Sequence, residues 1–162
     1  MIHNPQIFDY SSFPAFGDPN RVHDCRDVFA NERGSSGFDH EPKIIVIDDE
    51  ALIAETVVEI LKSEGFDAIS VSSGDSAVEL AKTVRPAVVL SDVMMPGLNG
   101  IETGIKIREI VPNCKIILFS GQAATVNLLE DARKSGHVFD ILAKPIKPDY
   151  LISVIRASLP SQ

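Results

Sequence analysis

From Lys43 onward, apolar residues fall into short runs and helical stripes that alternate along the chain. "KIIVI" (43–47) is a continuous apolar run with β-branched residues, the pattern of a strand buried on both faces. Ile53, Val57, Ile60 and Leu61 then recur at helical spacing within 50–64, and Gly65 closes the segment. The cycle repeats. "DAISV" (67–71) predicts a second strand, and Ser73 caps a helix carrying Ala77, Leu80, Ala81 and Val84 that stops before Pro86. "AVVL" (87–90) predicts a third strand, followed by a third helix from Ile101 to Val111 that Pro112 ends. "KIILF" (115–119) and a helix over 123–135 come next, then "VFDILA" (138–143) and a last helix over 147–158 with Leu151, Val154 and Ile155. Strands alternating with helices in this way imply right-handed crossovers, hence a parallel sheet with helices on both faces.

Residues 1–42 follow no such pattern and form an N-terminal extension to a domain over 43–160. They hold six of the ten aromatics (Phe8, Tyr10, Phe13, Phe16, Phe29, Phe38), four prolines and the "RGSSG" stretch. One short helix is predicted over 18–31, with Asp18 as N-cap, Pro19 at the first helical position, and Val22, Cys25 and Phe29 on one face. Disordered tails are usually poor in aromatics. Two readings stand side by side: an arm that packs on a partner or on its own domain, and a loosely ordered extension.

Composition narrows the function classes. A chain of 162 residues can bury a substantial core. Fifteen basic against 23 acidic residues give a net charge of -8, so the expectation is no direct nucleic-acid binding, which needs clustered Lys and Arg. No run approaches the roughly 18 apolar residues of a membrane span, and "MIHNPQIFDYSSF" lacks the basic start and apolar core of a secretory signal. A cytoplasmic protein is expected, without membrane attachment. Cys25 and Cys114 sit far apart in unlike contexts, which favours two unrelated thiols over a disulfide.

The chemistry-bearing residues gather at the predicted strand ends, where open parallel sheets place their sites. The first strand ends in Asp48, Asp49 and Glu50, the third at Asp92 in "LSDVMMPGLNG", the fourth at Ser120, the fifth at Lys144 and Pro145. Singly, each has a duller explanation: Asp48 and Asp49 precede a helix, Asp92 and Ser120 suit turns, and Lys144 suits a surface. Together they form a set. If the first and third strands are neighbours, three carboxylates crowd one volume, which a cation would relieve; clustered oxygens suit Mg²⁺ or Mn²⁺. Phosphoryl transfer to a carboxylate needs such a set, with Asp92 as nucleophile, Asp48 and Asp49 holding the cation, and Lys144 and Ser120 meeting phosphoryl oxygens.

"IIVIDDE", "LSDVMMPGLNG", "ILFSGQ" and "ILAKP", in this order, closely resemble the receiver domain of two-component response regulators, over about residues 43–160. The resemblance implies a flavodoxin-like fold with strand order 2-1-3-4-5. It implies that Asp92 is the phosphoacceptor and that Asp48 and Asp49 bind Mg²⁺, Asp49 more directly, with the Met94 backbone carbonyl as a further ligand. Ser120 would be the switch hydroxyl and Lys144 the phosphate-contacting lysine, joined to Pro145 by a cis bond. The implied donor is a histidine kinase or a histidine phosphotransfer protein. The implied output is a protein target on the face of the fourth helix, fifth strand and fifth helix, and the family admits a phosphorylation-dependent homodimer.

One position departs from the family. Three residues before the lysine, where Tyr or Phe is usual, stands Ile141; Phe139 lies two residues earlier on the same strand face. Because the chain ends at Gln162, soon after the last helix, a stand-alone receiver without an output domain is expected. Two rivals remain. One is a pseudo-receiver that is never phosphorylated, against which Asp92, Asp49 and Lys144 argue. The other is a haloacid-dehalogenase-like phosphatase, which would need an acid two residues after Asp92, where Met94 stands. The expectation is therefore no enzyme beyond slow self-dephosphorylation, with the Met94 side chain limiting water.

Overall fold

A computed structural model describes residues 42–121 and 125–159. The helix expected over 18–31, and the N-terminal extension apart from its last residue, lie outside them.

The described residues form ten elements: β1 (Lys43–Ile47), α1 (Ala51–Ser63), β2 (Asp67–Val71), α2 (Gly74–Val84), β3 (Val88–Asp92), α3 (Gly100–Ile110), β4 (Lys115–Ser120), α4 (Thr125–Lys134), β5 (Asp140–Ala143) and α5 (Pro148–Ser158). The strands pair in parallel in the order β2-β1-β3-β4-β5, as expected for a flavodoxin-like sheet. Period-2 alternation splits its apolar residues between two faces. Ile44, Val46, Val88, Leu90, Ile117 and Phe119 pack against α1 and α5 through Val58, Leu61, Leu151 and Ile155. Ile45, Ile47, Val89, Ile116 and Leu118 face α2, α3 and α4 through Ala77, Ala81, Ile107 and Ala132.

Local chemistry ends the elements where the sequence indicates. Ser73 accepts the Ser76 amide at the start of α2. Gly65, at φ +87°, lets α1 close with the Phe66 amide on the Leu61 carbonyl (3.0 Å) and its own amide on Lys62 (3.1 Å). Asn99 and Glu102 form a reciprocal capping box that starts α3.

Two strand boundaries differ by two residues from those the pattern predicts. β3 runs two residues past Leu90, because Ser91 and Asp92 pair with Leu118 and Phe119. β5 begins at Asp140, not Val138, its first partner being Ile117. The Val138 carbonyl instead accepts a hydrogen bond from Arg108 of α3 (2.8 Å), whose guanidinium lies 4.7 Å from the centre of the Phe139 ring.

Candidate phosphoacceptor site

Adjacent β1 and β3 bring the acids together. The register pairs Ile47 with Ser91, so Asp48 follows one strand as Asp92 ends the other. Asp48, Asp49 and Asp92 each offer an oxygen within 4.8 Å of the others. Their surroundings are graded: Asp48 is 2% exposed, Asp92 half-buried and Asp49 open to solvent. Buried Asp48 is held by the Glu50 amide, which donates to its Oδ1 at 2.9 Å. Glu50, not either aspartate, is the N-cap residue of α1, and it caps without a side-chain hydrogen bond.

Lys144 answers the like-charge problem. Its Nζ lies 3.2 Å from Asp92 Oδ2 and 3.5 Å from Asp48 Oδ2. Burial pulls the Lys144 ammonium down, but the hydrogen bond to Asp92 and the charges of Asp92 and Asp48 outweigh it and leave its pKa above the ordinary lysine value. Lys144 is therefore a fixed cation at neutral pH. One ammonium facing three carboxylates leaves negative charge over, and a hard oxygen donor set of this size fits a divalent cation such as Mg²⁺.

The loop after Asp92 turns tightly. The Gly100 amide donates to the Val93 carbonyl (3.0 Å), and a Cβ on Gly100 would stand 2.2 Å from the Asp92 carbonyl oxygen. Only glycine lets the first turn of α3 approach the acid so closely. Met94 lies within this loop, 47% exposed, its amide 3.4 Å from Asp92 Oδ1. The turn reading of Asp92 and its place in the acid cluster thus coexist.

Ser120 and Lys144 are joined through the backbone, the Lys144 amide donating to the Ser120 carbonyl (2.9 Å). The Lys144–Pro145 peptide is cis. The Ser120 hydroxyl is hydrogen-bonded to that of Thr125, the first residue of α4. Ile141 is 46% exposed, while Phe139 is half-buried against Gly104 and beneath Arg108. Sequence reasoning did not single out Gly100, Arg108 or Thr125. Asn99 before α3 signals a cap, but nothing local announces the approach of Gly100 to Asp92. Thr125 and Arg108 are identified by tertiary partners alone.

A doubly wound parallel sheet with clustered acids and a lysine at its carboxyl edge defines a flavodoxin-like α/β domain. Residues 44–156 match the family model of the response regulator receiver domain, and the chain belongs to that family. The DNA-binding response regulator MtrA of Mycolicibacterium paratuberculosis is 32% identical over 117 residues, which are 72% of this chain and 51% of that protein. The chain thus spans about half the length of such relatives. Among solved structures, the signal receiver domain of a modulated diguanylate cyclase from Desulfovibrio desulfuricans superposes with a TM-score of 0.64 at 31% identity, covering 73% of this chain and 93% of that one. Chemotaxis protein CheY4 of Vibrio cholerae shares the fold, with a TM-score of 0.66 at 23% identity over 74% of this chain and 99% of that one.

Proposed function

We propose that the chain accepts a phosphoryl group on Asp92 from a phosphohistidine of a histidine kinase or a histidine phosphotransfer protein, and passes the signal on by protein contact. The observation that carries this reading is the approach of Asp48, Asp49 and Asp92 within 4.8 Å of one another, with Lys144 reaching two of them. A half-buried carboxylate at a strand end is reachable by a donor yet held in one place.

In the transfer, an Asp92 carboxylate oxygen forms a bond to phosphorus as the phosphorus–imidazole bond breaks, and the electron pair stays on the donor's ring nitrogen. Lys144 moves its charge from the free carboxylates to a phosphoryl oxygen, which needs no new cation at the moment of reaction. Ser120 hydrogen-bonds another. Asp49, Asp48, Asp92 and the Met94 carbonyl are the candidate ligands of Mg²⁺ or Mn²⁺, which when bound would neutralise charge on the transferring group. The acyl phosphate then hydrolyses slowly, so the domain is a signal carrier and not a turnover enzyme.

The proposed output face joins α4, β5 and α5. Val126, Val138, Ile141 and Tyr150 are exposed there, and Val126, Leu129, Val138, Phe139 and Ile141 line a groove of about 420 Å³. Such apolar exposure suits a protein partner, a second phosphorylated copy included. The net charge of -8 supports a domain that does not itself hold DNA; the DNA binding named for MtrA is that protein's. Among the described residues no helix is long and apolar enough to cross a membrane, and the proposed partners are cytoplasmic.

Incubation with Mg²⁺ and acetyl phosphate, read by intact mass, tests the assignment. The wild type should gain one phosphate and Asp92→Asn none. An unmodified wild type, or an Asp92→Asn variant modified as fully, would refute it.

A further inference from the structure

Strand alternation divides the site between the two faces of the sheet. Asp48, Asp92 and Lys144 continue the parity of Val46, Leu90 and Leu142, which face α1 and α5. Ser120 continues the parity of Leu118, which faces α2, α3 and α4. Its hydroxyl is accordingly bonded to Thr125, which opens α4 and is 1% exposed. β4 pairs Phe119 with Asp92, so Ser120 stands one residue past the acid and on the other face.

We propose that Thr125 is a positioning residue for phosphorylation: its buried hydroxyl holds Ser120 on the α4 side, and Ser120 must leave or reorient that bond to meet a phosphoryl group on Asp92. The inference rests on the phosphoacceptor reading above. A serine hydroxyl has one proton to donate. If Ser120 donates to Thr125, it cannot also donate to a phosphoryl oxygen. If it accepts from Thr125, the bond still fixes its rotamer toward α4. Either way the bond favours the unphosphorylated arrangement, and drawing Ser120 away loosens its tie to the first turn of α4. The groove between α4 and β5 begins at Val126, the next residue. Occupancy at Asp92 is thereby linked to the output face through one side-chain hydrogen bond, without an aromatic at position 141.

The full chain is phosphorylated with Mg²⁺ and acetyl phosphate, and the initial rate is followed by intact mass. Thr125→Val keeps the branched shape and removes the hydroxyl. It should accelerate phosphorylation by about fivefold, the ratio corresponding to one ordinary hydrogen bond. Thr125→Ser should match the wild type. In a Ser120→Ala background, Thr125→Val should change nothing, because the bond is already gone. Thr125→Ala, which removes the same hydroxyl without added bulk, must behave as Thr125→Val and replaces it if the valine variant does not melt cooperatively. A wild-type rate in the hydroxyl-free variants, an acceleration that persists without Ser120, or a Thr125→Ser variant as fast as Thr125→Val would each overturn the role of Thr125 while leaving Asp92 as acceptor. A wild type that takes up no phosphate would remove both readings together.

Discussion

β3 and β5 flank β4 in one sheet and both end at the site, yet they are packed in opposite ways. In β3, residues Val88 to Ser91 are buried and only the terminal Asp92 reaches part-way to solvent. In β5, Leu142 is buried while Asp140, Ile141 and Ala143 are exposed. The cause is position, since β3 has a strand on each side and β5 has one. The acid is therefore mounted on a strand packed on both faces, and the lysine that answers it follows a strand with few buried residues, the kind that opens locally at low cost. The proposed phosphoryl transfer would call for a fixed nucleophile and a compliant reporter, and the packing offers a well-held strand at the centre and a loosely packed one at the edge.

The contrast can be broken most forcefully in the core. Leu90, fully buried in β3, should cost about 2–5 kcal/mol when cut to Ala. Ile141→Ala on β5 should cost about 0.5 kcal/mol or less. Urea unfolding would read both as shifts in midpoint at constant slope. Comparable losses for the two variants would mean that β5 is as firmly held as β3, and the argument from edge compliance would fall.

Next in size is the loop that joins centre to helix. Gly100→Ala forces a methyl into the Asp92 carbonyl oxygen, 2.2 Å away, and neither backbone can yield freely. We expect a destabilisation of about 1–3 kcal/mol, typical of overpacking. A larger proportional loss of phosphorylation should accompany it, since the displaced atoms belong to the acceptor. A variant as stable as the wild type and phosphorylated at its rate would show that Asp92 tolerates movement, against its proposed fixity.

How much of this could be read from the chain follows the same division. The strands of the centre are continuous apolar runs, "KIIVI" above all, and their existence follows from the alternation with helices, whereas their order is implied by the family resemblance alone. The acids are legible because each stands at the end of such a run, where parallel sheets place their sites. β5 was harder. Val138 and Phe139 look like strand residues, but their environment is set by Arg108, 30 positions away, which takes the Val138 carbonyl and covers the Phe139 ring. Thr125 escaped for the same reason. Its burial and its bond to Ser120 are tertiary facts, and a threonine at the start of a helix reads as a helix start and nothing more. Local patterns reveal what a strand is made of, whereas a long-range partner leaves no local trace.

The smallest effect probes the end of the sheet away from the site. Cys114, just before β4, is a free thiol in the core on the α3 side. Burial pushes it up to about 12, against an opposing pull from Arg108. An unfolded thiol ionises near pH 8.5, roughly, so between that pH and 12 the unfolded chain loses a proton that the folded chain keeps. The stabilising contribution is thus complete below pH 8.5 and is lost as pH rises toward 12. The measurement is a difference between two proteins, so that contributions common to both cancel. The stability gap between wild type and Cys114→Ala should narrow steadily from pH 8 to pH 10. Arg108 makes this a test of the edge as well, because the guanidinium that lowers Cys114 also holds Val138 and Phe139 ahead of β5. Arg108→Ala should raise the thiol further and free that segment, leaving Ile141 more accessible to a partner while the β3 core keeps its unfolding midpoint within about 0.5 kcal/mol. If Arg108→Ala instead destabilised the whole domain as much as Leu90→Ala does, the edge would be part of the centre's cooperative unit, and the two strands would not differ in the way their burial indicates.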